Sequence, residues 1–195
     1  RFDLPADATV IGIAAQLIPR KGHDVLLEAL SDLVERWPNL QVLVMGKGPS
    51  ESAIREQIRA LDLSGHVQLV GFVEDLEHVL PSLDFLVHPA RTEGLGVVLL
   101  QAASAGIAVI ACDAGGMPEA VLDHETGLLV PPGDVGALTT AIERLLSEPE
   151  RAAAFGVQGR DRMLASFSIS AMAQGNMNVY HAVMAARSEA SPLLP

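Results

Sequence analysis

Arg20, Lys21, Lys47 and Arg91 stand in turns that follow short apolar runs, and both lysines adjoin glycine. They are notable because the chain is acidic, with a net charge of −11, and holds only these two lysines. An acidic chain that gathers cations in the turns after its strands has a local anion site. Glu93 lies two residues after Arg91 and opens the run Glu93-Gly94-Leu95-Gly96. Its carboxylate is an acceptor suited to hydroxyl groups rather than to anions. Helices are expected to open near Gly96 and again after Gly115-Gly116, each presenting free N–H groups and the positive end of a dipole. Such termini suit phosphate.

The elements that must hold these residues are legible as alternating patterns. Apolar runs at residues 10–15, 42–45, 67–70, 85–87, 108–112 and 128–130 read as strands. They lack clean alternation, as expected of a parallel sheet covered on both faces. Between them lie amphipathic stretches. Residues 24–36 place Leu26, Leu30, Leu33 and Val34 on one helical face, and Asp134 is a good N-cap for a helix carrying Val135, Leu138, Ile142, Leu145 and Leu146. The spacing predicts an α/β domain, a Rossmann-like doubly wound parallel sheet of about six strands with helices on both faces. Ligands on such sheets bind at the C-terminal strand ends. After Pro149 the pattern becomes helical alone: 151–155, 159–167 and a longer helix from 170 to about 187.

The stretch from Thr92 to Glu119 resembles the signature of the retaining glycosyltransferases of the GT-B fold, in the group 1 (family 4-like) family. Glu93, Gly94, Gly96, Ala102, Gly106 and Gly115-Gly116-Met117-Pro118-Glu119 match that family's pattern. The likeness continues in Leu17-Ile18-Pro19-Arg20-Lys21-Gly22 and in the segment from Asp123 to Asp134, so it covers almost the whole chain in order. Two positions depart from it. Gln101 stands where the family has a second glutamate, and Gln16 where it usually has arginine.

The resemblance implies the C-terminal, nucleotide-sugar-binding half of a two-domain enzyme. Lys21, with Arg20 beside it, is expected to neutralise the donor diphosphate, and Glu93 to contact donor-sugar hydroxyls; these two, Lys21 and Glu93, are the expected catalytic residues. Gln16 can hydrogen-bond a phosphate but cannot neutralise it. Gln101 replaces a ribose clamp, offering one acceptor oxygen and two donors; an internal backbone partner is its alternative, because the surrounding helix reads as buried nearly all round. Gly46 and Lys47 fall in a turn resembling the family's Gly-x-Gly-Pro, and Val73 and Asp75 in its base-binding turn. Arg91, Gly94, Leu95, Gly96, Gly115 and Gly116 complete the expected donor site. No cofactor and no metal are implied, the nucleotide diphosphate sugar being the substrate. His23 and His88, near strand ends, lack metal-ligand spacing and read as structural or supporting residues.

Composition narrows the remaining classes. The charge argues against a nucleic-acid or anionic-membrane binder, and no apolar run approaches the roughly 20 residues of a membrane span. The single cysteine, Cys112, excludes an internal disulfide, suits a reducing compartment and reads as a small buried residue. The expected organisation is one domain over 1–187 and a disordered tail over 188–195, the piece being cut from a longer cytoplasmic protein. An N-terminal acceptor-binding domain is the expected partner, any membrane contact would run through it, and Met172, Met177, Tyr180 and Met184 pack either on it or on this domain's own core. A nucleotide-sugar epimerase, a non-catalytic donor-sensing module and, third, an NAD-linked oxidoreductase are the alternatives.

Overall fold

The computed structural model describes residues 2–189. All six apolar runs become strands: β1 (Thr9–Ala14), β2 (Leu40–Met45), β3 (Val67–Gly71), β4 (Phe85–His88), β5 (Ala108–Cys112) and β6 (Gly127–Val130). They pair in parallel throughout, in the order β3-β2-β1-β4-β5-β6. This is the doubly wound order, reversing between β1 and β4. Every residue of β2, β4 and β5 is buried, which is why their sequences run apolar without alternation.

Right-handed crossovers place the connecting helices on both faces of the sheet. The helices of this part are α1 (His23–Ser31), α2 (Glu51–Ala60), α3 (Leu76–Val79), α4 (Val97–Ser104), α5 (Met117–Ala120) and α6 (Val135–Ser147). Asp134 caps α6 as its sequence suggests, accepting from the Ala137 N–H at 2.9 Å. Helix α6 returns to pack on α1, and an Arg36–Glu143 ion pair joins the chain beyond α1 to α6. Cys112 is buried at the end of β5, and burial pushes its thiol up to about 11, in keeping with a small inert core residue.

Three expectations need correction. The helix expected over 24–36 closes at Ser31, and its last residues continue as turns. The two helical pieces expected over 151–155 and 159–167 are one helix, α7 (Pro149–Ser166). Gly156, between the two expected pieces, serves close approach: a Cβ on it would collide with the Gly106 carbonyl oxygen. Helix α8 (Ile169–Glu189) runs two residues past the expected end, and the remainder of the expected tail lies outside the described residues.

The described chain divides into two units, one reaching to Arg160 and holding the sheet, the other starting at Asp161 and holding α8. On α8, Met172, Met177, Val179, Tyr180, Val183 and Met184 are all exposed. Among the described residues no helix is long and apolar enough to cross a membrane.

Candidate functional site

The loops after β1 to β5 leave the C-terminal edge of the sheet, and backbone hydrogen bonds hold them against one another. Leu17 N–H donates to Lys47 O at 3.1 Å, Gly46 N–H to Gly71 O at 2.8 Å, Arg91 N–H to Arg20 O at 2.8 Å and Gly116 N–H to Glu93 O at 3.1 Å. The loop after β1 therefore touches those after β2 and β4, and the loop after β4 touches that after β5. Two glycines make the last contact possible. Gly115 has φ 58°, and a Cβ there would meet Glu93 O, as one on Gly116 would meet Gly94 O.

The centre of this arrangement is an ion pair. Lys21 ends a 3-10 turn after β1 and is only 8% exposed; its Nζ donates to Glu93 Oε2 from the loop after β4. The pair bridges the two loops that flank the point where strand order reverses. Arg20 Nη1 lies 4.0 Å from the other Glu93 oxygen and donates to Thr92 O at 3.4 Å. Burial pulls the Glu93 carboxyl upward, but the hydrogen bond and charge of Lys21 outweigh it and hold the group below the usual carboxylate range. His88, the last residue of β4, points Nε2 at Glu93 Oε2 across 3.5 Å.

Arg91 is engaged away from this pair. Its guanidinium forks onto Asp24 at 3.2 and 2.8 Å and donates to Pro19 O at 2.9 Å. Burial raises the Asp24 carboxyl, and Arg91 more than reverses that shift. Arg91 thus ties the loop after β4 to the start of α1 through a two-bond fork. The sequence cannot reveal this contact, since Asp24 is 67 residues away and carries no motif.

At the same edge of the sheet, a cavity of about 430 Å³ is lined by Ala15, Gln16, Gly46, Lys47, Val73 and Gln101, with Phe72, Leu76 and Val98 among its further walls; neither Lys21 nor Glu93 is among its lining residues. Its size is that of a small-molecule site. Three separate loops, the start of α3 and α4 supply these residues. Asp75, the residue before α3, is not among the lining residues. Gly94 has open space where a Cβ would be, and Leu95 packs on the core at the foot of the same loop.

Helix α4 is not buried all round as its composition suggests: Val97 is 68% exposed and Gln101 is exposed, while Leu99, Ala102 and Ala103 face inward. Gln101 therefore needs no internal partner, and its side-chain amide makes none among the described residues. Gly96 precedes α4 with φ 78°; the Leu99 N–H bonds back to Gly96 O at 2.8 Å, and the Val97 and Val98 N–H groups before it have no acceptor within the helix. The second helix start expected as a phosphate site is smaller than anticipated. Helix α5 has four residues, and the Gly116 N–H before it is already bonded to Glu93 O. No three His, Cys, Asp or Glu side chains converge as a metal site among the described residues.

Residues 1–162 match the family described as "Glycosyl transferases group 1". Over 163 residues the chain is 39% identical to a GDP-mannose-dependent alpha-(1-6)-phosphatidylinositol monomannoside mannosyltransferase of Mycolicibacterium smegmatis. That alignment takes in 79% of this chain but 43% of the relative, so the chain spans less than half the length of the enzyme it matches. Among solved structures, Anabaena Alr3699/HepE in complex with UDP-glucose superposes with a TM-score of 0.81 at 25% identity, covering 91% of this chain and 50% of that one. The C-terminal domain of a glycosyl transferase group 1 family protein (LpcC) from Francisella tularensis superposes with a TM-score of 0.76 at 25% identity, covering 85% of this chain and 89% of that domain.

Proposed function

The chain belongs to the group 1 glycosyl transferases, and on that premise we propose that it is the C-terminal, donor-binding half of an enzyme that moves a sugar from a nucleotide diphosphate to an acceptor. The observation that carries this reading is the meeting of Lys21 and Glu93 at the strand-order reversal, on the sheet edge whose loops also line a nucleotide-sized cavity. The nucleoside part of the donor occupies the cavity between Gln16, Lys47, Val73 and Gln101. The diphosphate lies toward Lys21, Arg20 and the N-terminus of α4, and the sugar toward Glu93.

Breaking the bond between the anomeric carbon and the phosphate leaves negative charge on the diphosphate and positive charge on the ring. A fixed ammonium and guanidinium beside the leaving group lower that barrier electrostatically. On this reading the diphosphate draws Lys21 away from Glu93, and the released carboxylate accepts from sugar hydroxyls. Transfer without a metal, and with retention at the anomeric carbon, are carried over from the resemblance of the Glu93–Gly96 turn and the Lys21-Gly22 turn. The GDP-mannose named for the mycobacterial relative and the UDP-glucose bound to the Anabaena protein make these two the donors to try first.

The acceptor belongs to a preceding domain, consistent with the short span of the chain against its relative and its near-complete coverage of a C-terminal domain. Assay of the full-length protein with these nucleotide sugars tests the reading. Transfer to an acceptor supports it. Epimerised product points to the epimerase alternative, and donor binding without turnover to a sensing module with Gln16 and Gln101 in place of the family residues.

A further inference from the structure

His88 is the most deeply buried titratable side chain at the site, 1% exposed, and both of its ring nitrogens lack a hydrogen bond among the described residues. A polar group withdrawn from water without a partner is costly, and in a site it points to a partner engaged in another state of that site. Its Nε2 faces Glu93 Oε2 at 3.5 Å, an oxygen already taken by Lys21. Contacts of this length at functional sites tighten in the complex.

We propose that His88 is a positioning residue for Glu93: when the donor diphosphate draws Lys21 away, the Nε2–H of His88 closes on Oε2 and holds the carboxylate facing the sugar. This rests on the donor-binding reading above and adds a role the sequence does not disclose. The charged and titratable groups that act on the ring are Lys21, Arg20, Glu93 and His23. Burial, then the positive charge of Lys21, hold His88 down to about 4, so the ring is neutral at neutral pH. A neutral donor suits the task. It satisfies the carboxylate without adding a cation that would compete with the sugar hydroxyls for it. Both ring nitrogens are shut off from solvent, so His88 acts on Glu93 and not on the substrate.

The test compares His88→Gln, His88→Asn and His88→Leu in this chain by calorimetry, with GDP and GDP-mannose and with UDP and UDP-glucose. Glutamine carries an N–H at the reach of Nε2, whereas asparagine stops at the reach of Nδ1 and leucine has none. The readout is the gain in affinity that the sugar adds to the nucleoside diphosphate. His88→Gln should keep that gain. His88→Asn and His88→Leu should cut it about tenfold, the worth of one hydrogen bond of about 1.4 kcal/mol, while nucleoside diphosphate affinity stays within about twofold. If His88→Leu retains the gain, or all three variants lose it in step with melting temperature, the ring is packing alone and the proposal is overturned. A wild-type chain that binds diphosphate and nucleotide sugar equally overturns this role but leaves donor binding standing. One that binds neither overturns donor binding, and the role with it.

Discussion

Lys21 and Glu93, 72 residues apart in the chain, are paired across the point where the sheet reverses its strand order. Neither side chain is well exposed, and each is the nearest opposite charge the other has. The site in this state is closed on itself: the cation meant for phosphate neutralises the carboxylate meant for hydroxyls. Donor binding then exchanges one ion pair for two new sets of contacts, so the cost of parting Lys21 from Glu93 is offset only by a ligand with both an anionic and a hydroxylated part.

That exchange makes Glu93→Gln informative. Removing the carboxylate frees Lys21, so nucleoside diphosphate affinity should hold or rise, by up to about tenfold for a partly buried pair. The extra affinity from the attached sugar should fall. Calorimetry with UDP against UDP-glucose, and GDP against GDP-mannose, separates the two effects. Loss of diphosphate affinity in this variant would mean that Glu93 supports the anion site and does not compete with it.

Stability should depend on pH through His23 and His88. Burial holds both down to about 4, with the His88 ring adding to the shift at His23 and Lys21 to that at His88. Unfolded histidine titrates near 6.5, so between about pH 6.5 and about pH 4 the unfolded chain binds protons that the folded chain refuses. The contribution is complete above about pH 6.5 and is lost as pH falls toward 4. Glu93 and Asp24, both held low, add losses in the same direction at still lower pH. Melting temperature should be level near pH 7.5 and drop from about pH 6.5 to 5, with a shallower drop in His88→Gln. A melting temperature unchanged down to about pH 5 would show that the rings are not kept neutral by the fold.

Gln101 should act on ribose and not on stability. It is exposed, lines the cavity and makes no side-chain bond among the described residues. Gln101→Leu should lose about 1 kcal/mol in nucleoside diphosphate binding, the net worth of an ordinary hydrogen bond, and leave inorganic pyrophosphate binding and melting temperature unchanged. Gln101→Glu should shift nucleotide affinity by a similar amount. The carboxylate gains acceptor strength for two hydroxyls and loses by repulsion from the diphosphate, so the sign reports which is nearer. Equal nucleotide affinity in wild type and Gln101→Leu would place the ribose elsewhere.

The exposed apolar side chains of α8 predict the outcome of truncation. Met172, Tyr180, Val183 and their neighbours are exposed, and α8 belongs to a different unit from the sheet, so deleting residues from Ser170 onward should leave the sheet folded. The intact chain should bind an apolar dye or self-associate more than the truncated one. If truncation unfolds the sheet, the helix belongs to this domain's core and does not serve a partner.

The strands were legible because burial on both faces writes an unbroken apolar run, and the end of β5 was read to the residue. Helix α2 was not singled out, since its buried face consists of Ile54 and Ile58 in an otherwise polar stretch. Residues 151–155 and 159–167 were read as two helical pieces although they are one helix, since Gly156 between them serves close backbone approach and not termination. At the site, motif residues were found by type and spacing, but their partners were not. The Arg91–Asp24 fork, the closure of Lys21 on Glu93 and the place of His88 all depend on how distant loops meet. A lone histidine at a strand end carries no spacing to mark it, and α4 looked buried because Val97 is apolar, although it faces out.

The most direct measurement is a titration of this chain with GDP-mannose and with UDP-glucose, for wild type and Lys21→Ala, with folding checked by thermal melting. At least one nucleotide sugar should bind the wild type, and Lys21→Ala should weaken it about tenfold or more, the equivalent of about 1.5–3 kcal/mol for a hydrogen bond to a charged group. A folded Lys21→Ala chain that binds with wild-type affinity would remove Lys21 from the diphosphate site and contradict the account.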